Sequence, residues 1–164
     1  MDNQTPQPQQ EQKPKNKTTT ADLIKLRGNI LHHFASVEMG MSYYICFYYF
    51  GRLDNNDFIH TVLYDKYMNV GIMQNIFEKL LRRKGEDKKR INILIGRIRE
   101  LTRIRNIFAH SWVSSPDPNK GEFNLIGKND MEDKYDAREE YKKFHQQFGE
   151  TQKEVFDLIK NFKK

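Results

Sequence analysis

The side chains that offer the most chemistry lie in the six residues RNIFAH, which run from Arg105 to His110. A histidine such as His110 gains and loses a proton near neutral pH, so it can act as an acid or a base. On a helix, Asn106 and His110 are one turn apart and can point to the same place. The guanidinium of Arg105 is suited to hold anionic oxygen atoms. These residue types and this spacing would suit acid–base chemistry on an anionic group.

The segment that precedes these residues is strongly basic. Ten lysines and arginines lie between Arg82 and Arg105, against only three acidic residues, whereas the whole chain has a net charge of +6. Such a concentration fits contacts with phosphates, which supply most of the non-specific affinity for nucleic acids. For residues 82–90, a solvated turn between two helices is an equally good interpretation.

Residues 86–111 are predicted to form one helix with two distinct faces. The apolar face recurs at three- and four-residue steps and should enter the core; it comprises Ile91, Leu94, Ile98, Leu101, Ile104 and Phe108. The second face carries Arg99, Arg103, Asn106 and His110, at steps of four, three and four. Arg99 and Arg103 are therefore candidate substrate-binding residues on the side of the helix that carries the histidine.

Arg105 falls near the middle of the apolar face. A charged side chain there is costly unless it is paired or lies at an interface. We expect Glu38, an acidic residue of the first helix, to be its partner and to support it. Three structural alternatives stay open: a purely structural ion pair for Arg105, a plain helix-terminal role for His110, and an ordinary surface position for Asn106.

The first helix should cover roughly residues 20–50. Thr19 and Asp22 form a helix-capping sequence just before its apolar pattern begins. The same pattern continues through Gly40, where a bend is expected. Turn-forming residues at 51–57 end the helix.

The rest of the chain completes a helical bundle. A second helical region is strongest at residues 70–83, and the last helix is predicted over about 134–162. Between the basic helix and the last helix, residues 112–128 have a Pro- and Gly-containing centre between short apolar pieces, which indicates a hairpin or ordered loop. The polar residues 1–18 are predicted to be a disordered tail. The expected fold is all-α, a bundle of four to five helices in a single domain over residues 19–164.

Composition excludes several classes of protein. Cys46 is the only cysteine, so an internal disulfide and a multi-cysteine zinc site are both excluded. The longest uncharged stretch, about residues 39–51, is shorter than the roughly 20 residues that a membrane-spanning helix needs. The first 20 residues contain no apolar core of a signal peptide. We therefore expect a cytoplasmic protein with no membrane partner.

The RNIFAH segment resembles the Arg-x4-His signature of the HEPN superfamily (higher eukaryotes and prokaryotes nucleotide-binding domain). In many prokaryotic members the signature reads Arg-Asn-x-x-Ala-His, and Arg105, Asn106, Ala109 and His110 match its four fixed positions. As in that family, the signature lies near the end of a late helix, after a long first helix that contains an acidic residue, here Glu38. The resemblance covers roughly residues 20–162.

The resemblance implies a metal-independent ribonuclease without a cofactor, which acts as a homodimer in toxin–antitoxin systems or antiviral defence. Its partners would be RNA and a cognate antitoxin protein. The 2′-OH of RNA would attack the adjacent phosphate, with His110 as acid or base, Arg105 on the phosphate and Asn106 as an orienting group. Arg103 is a reserve for Arg105, because Arg103-x6-His110 fits the looser form of the signature. The alternative hypothesis is a non-catalytic helical module that binds RNA, a nucleotide or a partner protein.

Overall fold

The computed structural model describes residues 19–53, 55–65, 67–117, 122–127 and 134–163. These residues form a mostly helical bundle, which confirms the all-α prediction, together with one small antiparallel sheet. The helices are α1 (Thr20–Phe50), α2 (Asn56–Phe58), α3 (Val70–Arg83), α4 (Lys88–His110) and α5 (Ala137–Lys160). The predicted tail, residues 1–18, lies outside the described residues.

Helix α1 begins and ends where the sequence predicts. The Thr19 side chain accepts a hydrogen bond from the backbone N–H of Asp22, and the Asp22 carboxylate accepts one from the backbone N–H of Thr19. This reciprocal capping box satisfies two N–H groups that the first turn of a helix leaves free. At the other end Gly51 has a φ of 67°, a left-handed conformation that suits glycine.

Helices α3 and α4 are joined by a tight turn, so they pack as antiparallel neighbours. The side chain of Asn69 caps α3 and that of Asp87 caps α4, each by accepting a hydrogen bond from a backbone N–H in the first turn. Gly85 supplies the positive φ of 80° that the connection requires. The turn interpretation of the basic residues just before α4 is therefore confirmed.

The predicted hairpin is present, and it belongs to a sheet of three strands. Strands β1 (Trp112–Asp117), β2 (Glu122–Ile126) and β3 (Lys134–Asp136) lie in that order, all antiparallel. The predicted start of the last helix at residue 134 is wrong by three residues. Residues 134–136 pair with β2 instead, and the Asp136 side chain then caps α5.

The core lies between α1 and the other long helices. Helix α1 packs against α3, α4 and α5, and α4 also packs against α5. The predicted core positions of α4, from Ile91 to Phe108, are all at most 2% exposed. Gly40 of α1 allows an especially close approach, because a Cβ atom there would lie 2.7 Å from Cγ1 of Val155 on α5. Among the described residues, none of the helices is both long enough and apolar enough to cross a membrane.

Candidate functional site

An open cleft with a volume of about 480 Å³ lies where the end of α4 meets the sheet. Helix α4 supplies one wall through side chains spaced three and four residues apart, which a helix places on one face. The segment after β2 and the strand β3 supply the other wall. The lining residues are Arg103, Asn106, Ile107, His110, Ser111, Gly127 and Tyr135. Three residues singled out from the sequence, Arg103, Asn106 and His110, are thus brought together.

His110 is the last residue of α4 and is exposed to the cleft. Two hydrogen bonds made by the next residue, Ser111, fix the end of the helix. The backbone N–H of Ser111 donates to the carbonyl of Ile107, and the carbonyl of Ser111 accepts a hydrogen bond from Nη2 of Arg27 at 3.0 Å. Because Arg27 belongs to α1, the position of His110 is tied to the longest helix of the bundle.

Asn106 links the cleft to Arg105. Nη1 of Arg105 donates to Oδ1 of Asn106 at 3.0 Å, which turns the amide oxygen toward the guanidinium. Within the described part of the chain, Nδ2 of Asn106 makes no hydrogen bond, so its two N–H groups can serve a ligand in the cleft. Arg105 does not itself line the cleft.

The expected ion pair between Arg105 and Glu38 is not formed. Arg105 is partly buried, with its guanidinium 5.8 Å from the ring centre of Phe34 on α1, and no ion pair joins it to any carboxylate of the described residues. Glu38 nevertheless interacts electrostatically with Arg105. Burial raises the pKa of Glu38, and the nearby Arg105 opposes that rise. Glu38 is therefore an electrostatic neighbour of Arg105 and not its hydrogen-bond partner.

Arg103 makes the most extensive polar contacts in the cleft. Its Nε and Nη2 donate to the carboxylate of Glu100 at 2.9 and 2.7 Å, and Nη2 also donates to Glu140 at 2.6 Å. Glu140 is buried, and its second oxygen accepts from Lys143 at 2.8 Å. The hydrogen bond to Arg103 lowers the pKa of Glu100, and the same bond, with that to Glu140, raises the pKa of Arg103. Glu100 and Arg103 are therefore both charged at neutral pH.

Arg99 is not part of the cleft. Its Nη2 donates to Glu78 on α3 at 3.0 Å, and Glu78 also binds Arg82. Other arginines of the basic segment are paired in the same way: Arg90 and Arg97 bind Glu154 on α5. The basic segment identified in the sequence is thus partly neutralised by carboxylates of neighbouring helices.

Two further residues of the site were not singled out from the sequence. Glu140 and Tyr135 lie on α5 and β3, 37 and 32 positions from Arg103 in the chain. No local spacing indicates that α5 would place a carboxylate against this arginine. The only available signal is that Glu140 lies on the same face of α5 as Phe144, a core residue, four positions along.

The described residues hold no group of three or more His, Cys, Asp or Glu side chains that could bind a metal ion. In comparisons with known proteins, no protein-family model matched the chain, and searches of curated proteins and of solved structures returned no match.

Proposed function

We propose that the protein is a metal-independent endoribonuclease of HEPN type. The observation that carries the proposal is that Asn106 and His110 share one open cleft with Arg103, at the end of a basic helix. A titratable imidazole, a free amide and a guanidinium are the groups that cleavage of RNA through its own 2′-OH needs. The HEPN-like order of Arg105, Asn106 and His110 supports the same conclusion.

In the proposed reaction the 2′-oxygen attacks the adjacent phosphorus. A bond forms between them, the bond from phosphorus to the 5′-oxygen breaks, and the products end in a 2′,3′-cyclic phosphate and a 5′-OH. One group removes the proton of the 2′-OH and another gives a proton to the leaving 5′-oxygen. His110 performs one of these transfers, while N–H groups of Asn106 and Arg103 stabilise the charge that grows on the phosphate.

A homodimer would complete the site. Each chain brings a single His110 to its cleft, whereas the reaction uses both an acid and a base. Arg105 binds Asn106 but does not line the cleft of its own chain, and its guanidinium lies 5.8 Å from the ring centre of Phe34. In a dimer with the two signatures facing each other, the second His110 would supply the missing group.

The second candidate function is a non-catalytic module that binds RNA or a protein. The ion pairs of Arg99 with Glu78 and of Arg103 with Glu100 and Glu140 favour it, because paired arginines stabilise a fold without any ligand. A toxin–antitoxin or antiviral role, with a cognate antitoxin as partner, accompanies the nuclease proposal only.

The proposal is tested by incubating the protein with a mixture of tRNA and mRNA in EDTA. We expect cleavage to cyclic-phosphate ends, and a loss of rate of about 10²- to 10⁴-fold in His110→Ala. Arg105→Ala should also lose activity. A matched control is His60→Ala, which removes an exposed histidine that does not line the cleft. Equal cleavage by wild type and folded His110→Ala would contradict the proposal, and RNA binding without cleavage would favour the non-catalytic module.

A further inference from the structure

The guanidinium of Arg103 is shared by two carboxylates that differ in exposure. The side chain of Glu140 is 6% exposed, and it approaches from α5. The side chain of Glu100 is 34% exposed, and it lies on α4 itself, three residues before Arg103. One carboxylate is thus part of the packed interior, and the other is at the surface.

The two carboxylates also occupy different parts of the guanidinium. Glu100 accepts from both Nε and Nη2, the parallel pair of donors that binds a phosphate in the same way. Glu140 accepts the other hydrogen of Nη2. Nη1 donates to no group in the described part of the chain. Glu100 therefore covers the edge that a phosphate would use, whereas Glu140 leaves that edge free.

Displacement of the two carboxylates has unequal costs. A surface pair of residues three apart on one helix is weak, so an incoming phosphate can replace Glu100, whose released carboxylate is then hydrated. Removing Glu140 from Arg103 would leave a buried carboxylate with Lys143 as its only partner among the described residues, which is unfavourable. A ligand anion is therefore expected to exchange with Glu100 and not with Glu140.

We propose that Glu140 is a positioning residue that holds Arg103 toward the cleft for an RNA phosphate, and that Glu100 competes with this phosphate for the same edge of the guanidinium. The inference rests on the proposed function, since it names the phosphate contact of that site. Arg103 is then the contacting residue, and the two glutamates act through it with opposite effects.

Net charge alone makes a different prediction. Neutralising either glutamate makes the surface more positive, and loss of Glu140 also releases Lys143. Electrostatics without positioning would therefore tighten the binding of RNA in both variants. The proposal instead requires tighter binding without the charge of Glu100 and weaker binding without that of Glu140.

The test measures binding of a fluorescently labelled single-stranded 2′-O-methyl RNA, which lacks the attacking hydroxyl. We expect Glu100→Gln to bind about threefold more tightly and Glu140→Gln about threefold more weakly than wild type. Adding Arg103→Ala to Glu100→Gln should abolish the gain. The control is Glu154→Gln, which neutralises a carboxylate of α5 that pairs with α4 arginines away from the cleft.

The result that overturns the proposal is a shift of both glutamine variants in the same direction, or a gain in Glu100→Gln that survives loss of Arg103. If Glu140→Gln fails to fold, the comparison of Glu100→Gln with the double variant Glu100→Gln/Arg103→Ala still tests whether Glu100 acts through Arg103. Parallel incubation with unmodified RNA separates the two proposals. Opposite shifts in binding without cleavage by wild type support the roles of the glutamates while contradicting the nuclease, whereas cleavage with shifts in one direction does the reverse.

Discussion

The two ends of α4 carry the same residue types in different environments. In its first half, Arg90 and Arg97 bind Glu154 of α5, and Glu86 and Glu150 add a second carboxylate to each arginine. At its last turns, Arg105 has no ion pair among the described residues and donates to the neutral amide of Asn106. The arginines of the first half are paired with carboxylates, whereas the last turns line an open cleft.

The comparison shows that a basic sequence segment is not by itself a basic surface. Arginines that meet carboxylates of a neighbouring helix contribute to packing, and their charge is largely cancelled for a distant anion. The end of α4 differs because, beyond Arg103 and its partner Glu140 on α5, the helix meets the sheet. The first two of the following predictions contrast similar residues along α4, and the third concerns the carboxylate that interacts with Arg105.

The largest effect is expected at Asn106, and Asn92 is its control. Each asparagine accepts a hydrogen bond from an arginine at 3.0 Å: Asn106 from Arg105, and Asn92 from Arg82. Asn106→Ala should lower the rate of RNA cleavage by about 10- to 100-fold, because it removes the hydrogen-bond donor that the proposed mechanism places on the phosphate. Asn92→Ala should leave the rate unchanged. Single-turnover cleavage of one defined RNA measures both, and equal rates for the two variants would remove the distinction between the helix ends.

Arg97→Ala should act on stability. Its guanidinium is mostly buried against Glu154, so we expect the free energy of unfolding to fall by about 1.5 kcal/mol. Cleavage per folded molecule should stay the same. Arg99→Ala is the control, because its side chain is 60% exposed and its pair with Glu78 is worth less than about 0.5 kcal/mol. Urea unfolding followed by circular dichroism gives both values; a larger loss for Arg99→Ala would contradict the assignment.

The smallest effect concerns Glu38, a carboxylate that interacts electrostatically with Arg105 and has no ion pair within the described residues. Burial raises its pKa in the folded protein, so between the ordinary and the raised value the folded state binds more protons than the unfolded state. Stability then falls as pH rises through that window. Glu38→Gln should remove this fall and increase the free energy of unfolding at pH 7 by roughly 0.5 kcal/mol. Unfolding at pH 4 to 8 measures the slope, and an unchanged slope in the variant would exclude Glu38 as its source.

Local sequence signals predicted much of the fold. The capping pair Thr19 and Asp22, the glycine at position 51 and the apolar steps of α4 each act within a few residues, and each feature is where it was expected. Strand β3 was missed because residues 134–136 have no strand pattern of their own. They are extended because β2 offers them a partner, and such pairing is not encoded locally.

The candidate site was predictable only where one helix builds it. Helical spacing places Arg103, Asn106 and His110 on one face, and the cleft indeed contains all three. The partners of the arginines depend on which helices pack together, which spacing cannot give. That is why Glu38 was assigned to Arg105, while the pairing of Glu140 with Arg103 was missed.

The contact at Gly40 also sets the lengthwise alignment of two helices. Val155 can sit directly against the α1 backbone only where α1 lacks a side chain, so α5 cannot slide along α1 without a clash. Glu140 lies 15 residues earlier on α5, about 22 Å away at 1.5 Å per residue. A slip of one helical turn, about 5.4 Å, would carry its carboxylate out of hydrogen-bond reach of Arg103. The absence of a side chain at Gly40 thus helps to fix the position of the Glu140 carboxylate, which lies at the other end of α5.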